Sequence, residues 1–530
     1  MEKLKCMTKQ DRYTVKLTMI VALGGFLMGF DASVISGVIK FIEPEFNLSK
    51  LQLGWAVSSL TLTSTLAMMI AGPLSTHFGR RTILKWAALL YAVSAVGSAL
   101  APDFTTLVIA RMLGGFGVGA SLIIAPVYIA EISQPHLRGR MVSFNQLNIV
   151  LGISVAFFTN YLILQWGKSD AAWVQLLGFG AYNWRWMLGL ETIPAVIYFV
   201  ALFAVPRSPR WLFMKNKAEE ARQVLARITA DQKLEELIQS IRKSLDANDT
   251  SKKVPMTQLF KPALRLVLII GITVAVLQQI TGINSVFFYA PMIFEQSGIG
   301  ADASFSQAIL VGLTNLLFTI FAILFIDRFG RKLLLIVGLS GIAVSMFVLA
   351  WGFHQATYTI QENALEELAG YVSVEKIKPL VGLTYESDVA FKEALSINLG
   401  SDEAVRAEGE LLKAAATMNP LLILGGILGF VASFAISIGP VMWVLFSEIF
   451  PNYIRGLAIS FVGFINSGVS FLVQLVFPWE LASFGSALTF LIYGLFAVIG
   501  LIIIASLLPE TKNKSLEELE IMLIKEPRKN

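Results

Sequence analysis

Two ionisable side chains stand inside long apolar runs of this sequence. Asp31 follows the glycine-rich stretch 24–30, and Arg111 lies near the start of another apolar run. An ionised group in such a run costs several kcal/mol unless it is paired or functional. A buried acid facing a buried arginine stays ionised, and it takes up a proton when its partner moves away, so the pair predicts a proton switch. A static ion pair that fixes helix register is the alternative.

A second set of residues offers hydrogen bonds without charge. Amide side chains recur within the apolar runs: Asn145, Gln146, Gln278, Gln279, Asn284, Asn315 and Asn466. Amides both donate and accept, which suits a neutral polyhydroxylated ligand. Trp443, with Phe434 earlier in the same run, can supply an aromatic wall for a sugar ring. Each residue alone also fits a role in helix packing, but their concentration in the second half of the chain favours a small-sugar site.

The elements that must position these residues are transmembrane helices. The chain has 530 residues, of which 55% are hydrophobic and 15% charged, whereas soluble domains carry about 25% charged residues. A membrane span needs roughly 20 apolar residues. Twelve such runs are predicted, near 17–40, 53–73, 83–101, 106–130, 142–165, 186–205, 264–294, 306–326, 333–353, 420–446, 456–479 and 484–508. The sequence therefore predicts an all-α membrane protein of twelve helices in a lipid bilayer.

The distribution of basic residues predicts the orientation. Arginines and lysines gather in alternate loops, whereas the loops near 102–105, 295–305 and 480–483 hold neither. Cytoplasmic loops carry the excess of positive charge, so both termini are predicted to be cytoplasmic. Residues 206–262 then form a cytoplasmic linker with short amphipathic helices. The acidic segment 355–419 lies outside, and we interpret it as a solvated insertion in a loop.

The sequence also repeats itself. Gly79-Arg80-Arg81 matches Gly330-Arg331-Lys332, and Pro206 matches Pro509. Glu131 with Arg138 matches Glu448 with Arg455 at the same separation. Such a duplication predicts two six-helix halves, 1–205 and 263–530, that rock about a central site. The basic turns and their acids are predicted to form a cytoplasmic gate, with simple positive-inside anchoring as the alternative.

Other functional classes are disfavoured. Only three histidines are present, His77, His136 and His354, and no nucleophile–base or metal-ligand pattern stands out, so no enzyme is predicted. The net charge of +5 is spread along the chain, which argues against a nucleic-acid partner. A membrane sugar receptor is a weaker alternative, because the tail after Pro509 is too short for a signalling domain.

Several motifs together resemble the sugar porter family of the major facilitator superfamily, and most of all its bacterial proton-coupled D-xylose symporters. They are the runs 111–119 (RMLGGFGVG), 126–131 (PVYIAE), 206–212 (PRSPRWL), 278–284 (QQITGIN), 439–443 (GPVMW) and 509–512 (PETK). The resemblance implies a proton symporter in a bacterial inner membrane, with no cofactor besides the coupling proton, and we expect a monomer. It assigns proton coupling to Asp31 and Arg111. It assigns sugar contacts to Gln146, Gln278, Gln279, Asn284, Asn315, Trp443 and Gly439, and it adds Arg210 to the gate.

Departures from the family pattern leave the sugar open. Phe288 stands where the xylose symporters have a tyrosine, Ser467 replaces a usual tryptophan, and Ile153 replaces a glutamine. Arg207 reverses the charge of a glutamate in the cytoplasmic motif. D-xylose, D-glucose and other monosaccharides therefore all stay possible substrates, and a facilitative uniporter without proton coupling is the alternative mechanism.

Overall fold

Long apolar helices form most of the chain, because only a helix satisfies every backbone polar group within lipid. A computed structural model describes residues 8–229, 231–249, 255–451, 454–512, 514 and 516–523, with the side chains of 135–139, 231–233, 244–249, 327, 516–517 and 520–521 also left undescribed. The first helices are α1 (Lys9–Glu45), α2 (Lys50–Phe78), α3 (Arg80–Ala99), α4 (Phe104–Ile132), α5 (Pro135–Trp166), α6 (Ala172–Leu177), α7 (Asn183–Gly189) and α8 (Thr192–Ala201).

Short helices fill the predicted linker. They are α9 (Pro209–Met214), α10 (Ala218–Ile228) and α11 (Asp231–Asp249), followed by 3-10 turns at Met256–Phe260 and Pro262–Leu264. Leu225 and Ile228 of α10 and Leu234 and Ile238 of α11 are buried in one apolar core, so each helix packs its apolar face against the protein as an amphipathic helix requires.

The second half begins with α12 (Arg265–Ile280), α13 (Ile283–Glu295), α14 (Gly300–Phe329) and α15 (Arg331–His354). After the insertion come α20 (Pro420–Ile436), α21 (Ile438–Ile449), α22 (Arg455–Leu507) and α23 (Leu516–Leu523).

Ten helical stretches in the described part are long and apolar enough to cross a membrane. Two features account for the difference from the twelve predicted runs. The last two predicted spans together form the long helix α22, which is kinked at Gly485, where the backbone is non-helical with φ 77°. The predicted span at 186–205 is broken between α7 and α8, and neither piece alone reaches the length of a span.

The acidic insertion is a folded unit with its own helices and a small sheet. It contains β1 (Thr357–Thr359), α16 (Leu365–Leu368), α17 (Val374–Ile377), β2 (Thr384–Tyr385), α18 (Asp388–Leu399), α19 (Ser401–Ala415) and β3 (Ala416–Thr417). The strands form an antiparallel sheet in the order β2-β1-β3. Tyr358, Phe391 and Leu411 lie in a separate apolar core beneath it.

Contacts group the chain into two units. One comprises 1–32, 59–156 and 188–254, and the other comprises 33–58, 157–187 and 255–530. These bounds differ from the two predicted halves, because 33–58 and 157–187 group with the second half of the chain.

Candidate functional site

A break between α12 and α13 gathers the central amides. Gly282 separates the two helices with φ 93°, and a β-carbon there would lie 2.5 Å from the ring of Tyr493. Only glycine combines that backbone conformation with such a close approach. The break places Gln278 and Gln279 at the end of one helix and Asn284 at the start of the next. Gln278 and Gln279 bond Asn466 of α22, and Asn284 bonds Ser470 of the same helix.

These side chains form a closed hydrogen-bonded network, the amide cluster, consisting of Gln278, Gln279, Asn284 and Asn466. The Gln279 amide donates to Gln278 Oε1 at 3.1 Å and to Asn466 Oδ1 at 3.2 Å. Asn284 donates to Gln279 Oε1 at 2.7 Å, and Asn466 donates to Gln278 Oε1 at 2.8 Å. Buried amides need such partners. The cluster offers donors and acceptors without charge, which matches the hydroxyls of a neutral sugar.

Two polar residues of α22 extend the amide cluster, and the sequence analysis missed them. Asn284 donates to Ser470 Oγ at 2.7 Å, and Gln474 donates to the same oxygen at 2.8 Å. Tyr289 in turn donates to the Gln474 carbonyl at 2.9 Å. Asn466, Ser470 and Gln474 are spaced by four residues, which places them on one face of the helix. That spacing of polar residues in an apolar run was a signal available in the sequence.

The predicted aromatic residues lie on α20 and α21. Gly439 accepts a hydrogen bond from Gln278 at 3.5 Å, which joins it to the amide cluster. A β-carbon at Gly439 would lie 3.0 Å from the Phe434 ring, so Phe434 covers this glycine. Trp443 is 47% exposed and meets Phe446 edge to face at 5.9 Å. Phe434 and Trp443 thus pack on different neighbours, and their joint contact with a sugar stays a prediction.

Two predicted sugar-binding residues lie apart from this network. Asn315 is buried on α14 and makes no hydrogen bond to the amide cluster among the described residues. Gln146 is exposed on α5, in the other contact unit. Both assignments therefore stay predictions.

The structure brings the predicted proton pair together. Arg111 Nη1 lies 3.4 Å from Asp31 Oδ1, and both side chains are only 2% exposed. A β-carbon at Gly114 would lie 3.0 Å from Asp31 Oδ2, so this glycine lets α4 approach the acid. The two residues come from α1 and α4, eighty positions apart, and only the packed bundle makes them neighbours.

A third ionisable group completes this cluster. Glu191 is buried at the break between α7 and α8, close enough to Asp31 and Arg111 to interact electrostatically with both. One oxygen of each acid, Asp31 Oδ2 and Glu191 Oε1, has no hydrogen-bond partner among the described residues. An unpartnered carboxyl oxygen can carry a transferable proton. Glu191 was also missed, although an ionisable residue inside a predicted span was a signal.

The predicted gate residues form two equivalent ion pairs. Arg80 Nη2 lies 3.1 Å from Glu131, and Arg331 Nη2 lies 2.9 Å from Glu448. Each acid also accepts a hydroxyl hydrogen bond, from Ser208 in the first pair and from Thr511 in the second. Both hydroxyls lie two residues after the matching prolines, 206 and 509, so the repeat seen in the sequence also appears in the contacts.

The two pairs differ where the sequence departs from the family pattern. Glu510 accepts hydrogen bonds from the backbone N–H groups of Arg331 and Lys332, at 3.0 and 3.1 Å, and so caps α15. The equivalent position in the first half is Arg207, which instead lies 3.7 Å from Glu220. The Trp211 ring covers Gly79 there, where a β-carbon would lie 3.1 Å away. The first gate pair is therefore retained, but its helix lacks the acidic cap.

Basic residues beside both pairs bind helix carbonyls. Arg81 donates to the carbonyls of Leu202 and Phe203, and Lys332 donates to that of Ala505. Arg455 donates to the Phe450 carbonyl at 3.0 Å. Arg210 is half-buried on α9, and the side chain of Arg138 lies outside the described residues. The roles of Arg138, Arg210 and Arg455 in a gate stay predictions.

Known proteins resemble this chain over almost its whole length. The family model described as "Sugar (and other) transporter" matches residues 17–375 and 408–523. An arabinose-proton symporter of Bacillus subtilis is 34% identical over 97% of this chain and 96% of its own length. A D-xylose-proton symporter of Escherichia coli K12 is 33% identical over 98% and 97%.

Solved structures show the same likeness. The proton:xylose symporter XylE of the major facilitator superfamily, bound to 6-bromo-6-deoxy-D-glucose, superposes with a TM-score of 0.69 at 32% identity, covering 97% of this chain and 100% of its own. An inward-open structure of XylE from E. coli superposes with a TM-score of 0.73, at the same identity and coverage. These matches confirm the predicted all-α membrane fold of the major facilitator type.

Proposed function

Because the chain belongs to the sugar transporter family of the major facilitator superfamily, we propose that it is a proton-coupled monosaccharide symporter that works by alternating access. Members of this family are membrane transporters, so the chain is a transporter and not an enzyme.

The amide cluster supports an uncharged, hydroxyl-rich cargo. Its four members are neutral, and its side chains already pair with one another. A sugar that exchanges these bonds for bonds to its own hydroxyls leaves no buried amide unpaired, whereas an ion or an apolar ligand would leave several without partners. The relatives named for arabinose and xylose, and the glucose analogue bound to XylE, support a monosaccharide.

The buried cluster of Asp31, Arg111 and Glu191 is the single observation that carries proton coupling. It places a second buried carboxyl group, that of Glu191, near the Asp31–Arg111 ion pair and away from solvent. Two acids around one base can exchange a proton between them, and Asp31 can accept one when Arg111 turns toward Glu191. A facilitator has no need of so costly an arrangement within lipid.

Substitution of Asp31 tests this coupling. Purified protein in vesicles with an imposed inward proton gradient is expected to concentrate D-xylose, L-arabinose or D-glucose. Asp31→Asn keeps the shape and removes the acid, so accumulation is expected to vanish while sugar exchange without a gradient persists. Asp103→Asn is the matched control, because asparagine also caps a helix N-terminus and Asp103 caps α4 at an exposed position. An Asp31→Asn variant that still accumulates sugar contradicts the proposal.

The orientation is part of the same proposal. The basic turns at Arg80 and Arg331 mark the cytoplasmic side, which places both termini in the cytoplasm and the insertion outside, with the bacterial inner membrane as the location. Labelling of Ser387→Cys in the insertion by a membrane-impermeant maleimide on intact cells tests it, in a Cys6→Ser background that removes the chain's one cysteine.

A further inference from the structure

The folded insertion is anchored to the last membrane helix. Asp388, at the start of α18, accepts hydrogen bonds at 3.1 Å from both the backbone N–H and the hydroxyl of Ser486. Ser486 follows the kink at Gly485, where the final span begins. An acid at a helix N-terminus satisfies free N–H groups and the helix dipole. The insertion thus holds a fixed position on the second half of the chain.

A second contact joins α19 of the insertion to the residue that follows α13. Glu408 lies 3.0 Å from Lys392 Nζ and accepts a hydrogen bond from Gln296 at 3.3 Å. Lys392 also donates to Gln296 Oε1 at 2.6 Å. Gln296 directly follows α13 and is buried. These three side chains form one connected group between the insertion and the bundle.

The same group lies against the first two helices of the chain. Lys50, at the start of α2, pairs with Glu43 of α1 and interacts electrostatically with Glu408. Lys40 of α1 pairs with Glu295 at 2.7 Å. A β-carbon at Gly409 would lie 3.2 Å from Lys40 Nζ and 3.3 Å from Glu295 Oε2, so this glycine lets α19 rest on that pair.

Neighbouring cations and hydrogen bonds stabilise the ionised carboxylate of Glu408. Burial raises the pKa of Glu408, but the charges of Lys392 and Lys50 and the hydrogen bonds from Lys392 and Gln296 outweigh it and lower the pKa to about 2. The side chain is 20% exposed, so solvent only partly screens these interactions. The carboxylate of Glu408 is therefore stabilised by cations from both the insertion and the first helices.

We propose that the insertion is an extracytoplasmic latch, in which Glu408 holds α1 and α2 against the second half and so stabilises the state closed on the outside. The latch rests on the proposed orientation and on alternating access. Outward opening moves the ends of α1 and α2 away from α13 and the insertion. The Lys40–Glu295 ion pair must then break and Lys50 must move away from Glu408, because Asp388 holds the insertion on the second half of the chain. The acidic segment thereby has a function beyond covering the entrance.

Spin-label distances across the outer face test the latch. Lys168, just after α5, pairs with Asp302 of α14. Ser169 and Ser306 are exposed and lie close in sequence to these two residues. The distance between labels at Ser169 and Ser306 therefore reports how far the end of α5 lies from the start of α14. We place labels at Ser169→Cys and Ser306→Cys in a Cys6→Ser background and measure the distance distribution by double electron–electron resonance. Glu408→Gln is expected to raise the ratio of long to short distances by up to about fivefold, the equivalent of an ion pair of about 1 kcal/mol.

Glu403→Gln is the matched control. Glu403 lies on the same helix and pairs with Lys376 at 2.6 Å, and both residues belong to the insertion. It is expected to leave the distances unchanged. An unchanged distribution in Glu408→Gln, or an equal shift in both variants, overturns the latch. The measurement needs neither sugar nor a proton gradient, so it separates a failed latch from a failed symport.

Discussion

The amide cluster is preorganised by its own hydrogen bonds, and this sets what a ligand must offer. Each amide that turns toward a sugar loses a partner within the cluster, so the net gain per hydrogen bond is small, about 1 kcal/mol. Selectivity then depends on how firmly the amides hold their orientation. Ser470 matters here because its hydroxyl oxygen accepts from both Asn284 and Gln474.

Loss of the Ser470 hydroxyl is expected to loosen Asn284. Ser470→Ala should weaken sugar binding about fivefold, the equivalent of one hydrogen bond, and should reduce discrimination between epimers, whereas Ser470→Thr should keep both. Isothermal calorimetry with a panel of pentoses and hexoses measures these effects on purified protein. Ser460→Ala on the same helix is the control, since exposed Ser460 donates to the Gly456 carbonyl in its own helix turn and bonds no other group among the described residues. Unaltered affinity in Ser470→Ala would remove Ser470 from the site.

At the scale of the elements, helix ends explain most of the contacts made by charged residues. Arg81 and Lys332 donate hydrogen bonds to backbone carbonyls at the ends of the sixth and twelfth predicted spans. The Glu510 carboxylate accepts hydrogen bonds from the free N–H groups at the N-terminus of α15. Charges placed this way offset the helix dipoles and satisfy backbone groups that lack partners within the helix. The basic turns thus join neighbouring helices within each half of the chain.

Substitution of Glu510 tests its role as a cap. Burial raises the pKa of Glu510, but hydrogen bonds from the backbone N–H groups of Lys512, Arg331, Lys332 and Thr511 lower it below the usual 4.5. Because the folded-state pKa is lowered, the stabilisation is present above the unfolded-state pKa and is lost as the pH falls through the folded-state value.

Glu510→Gln should therefore lower the apparent Tm by about 1–3 °C at neutral pH, as loss of about 1 kcal/mol of capping predicts. The difference from the parent protein should shrink as the pH is lowered below about 4.5. Thermal unfolding in detergent across this pH range measures it, with exposed Glu362→Gln as the control. A pH-independent difference would show that the charge of Glu510 contributes nothing.

At the scale of the whole molecule, the insertion and the bundle are separate cores joined by a few polar contacts. The first and last strands of the insertion pair directly, Thr357 with Thr417. Its ends therefore lie side by side, as in a domain inserted into a loop, and a short linker can bridge them.

Replacement of residues 358–416 by a short Gly-Ser linker is expected to leave the membrane helices folded. Sugar exchange in vesicles should persist, and the labelled outer face should open as it does in Glu408→Gln. Stability should fall by about 1 kcal/mol because Asp388 no longer caps the last helix. Monodisperse elution and equilibrium exchange of labelled sugar measure the outcome. Failure to fold would show that the insertion belongs to the core of the protein.

Composition and hydropathy alone determined the membrane class and the number of apolar runs, because a lipid environment imposes long apolar helices whatever they pack against. The repeat also predicted that the basic turns and the acids Glu131 and Glu448 act together, since both halves use the same order of motifs. Asp31 and Arg111 stood out for the same reason: charge inside a span is costly and therefore conspicuous.

The tertiary structure decided the contacts that join distant segments. Glu191, Ser470 and Glu408 acquire their partners only when separate helices pack together, and no local pattern records which helix face meets which. The glycine at 282 and the break before α8 are local features, but the side chains that they bring together come from segments far apart in the sequence. The insertion shows this most clearly, because its acidic composition indicated solvent, whereas its folded core and the bonds of Glu408 place one face of it against the membrane helices.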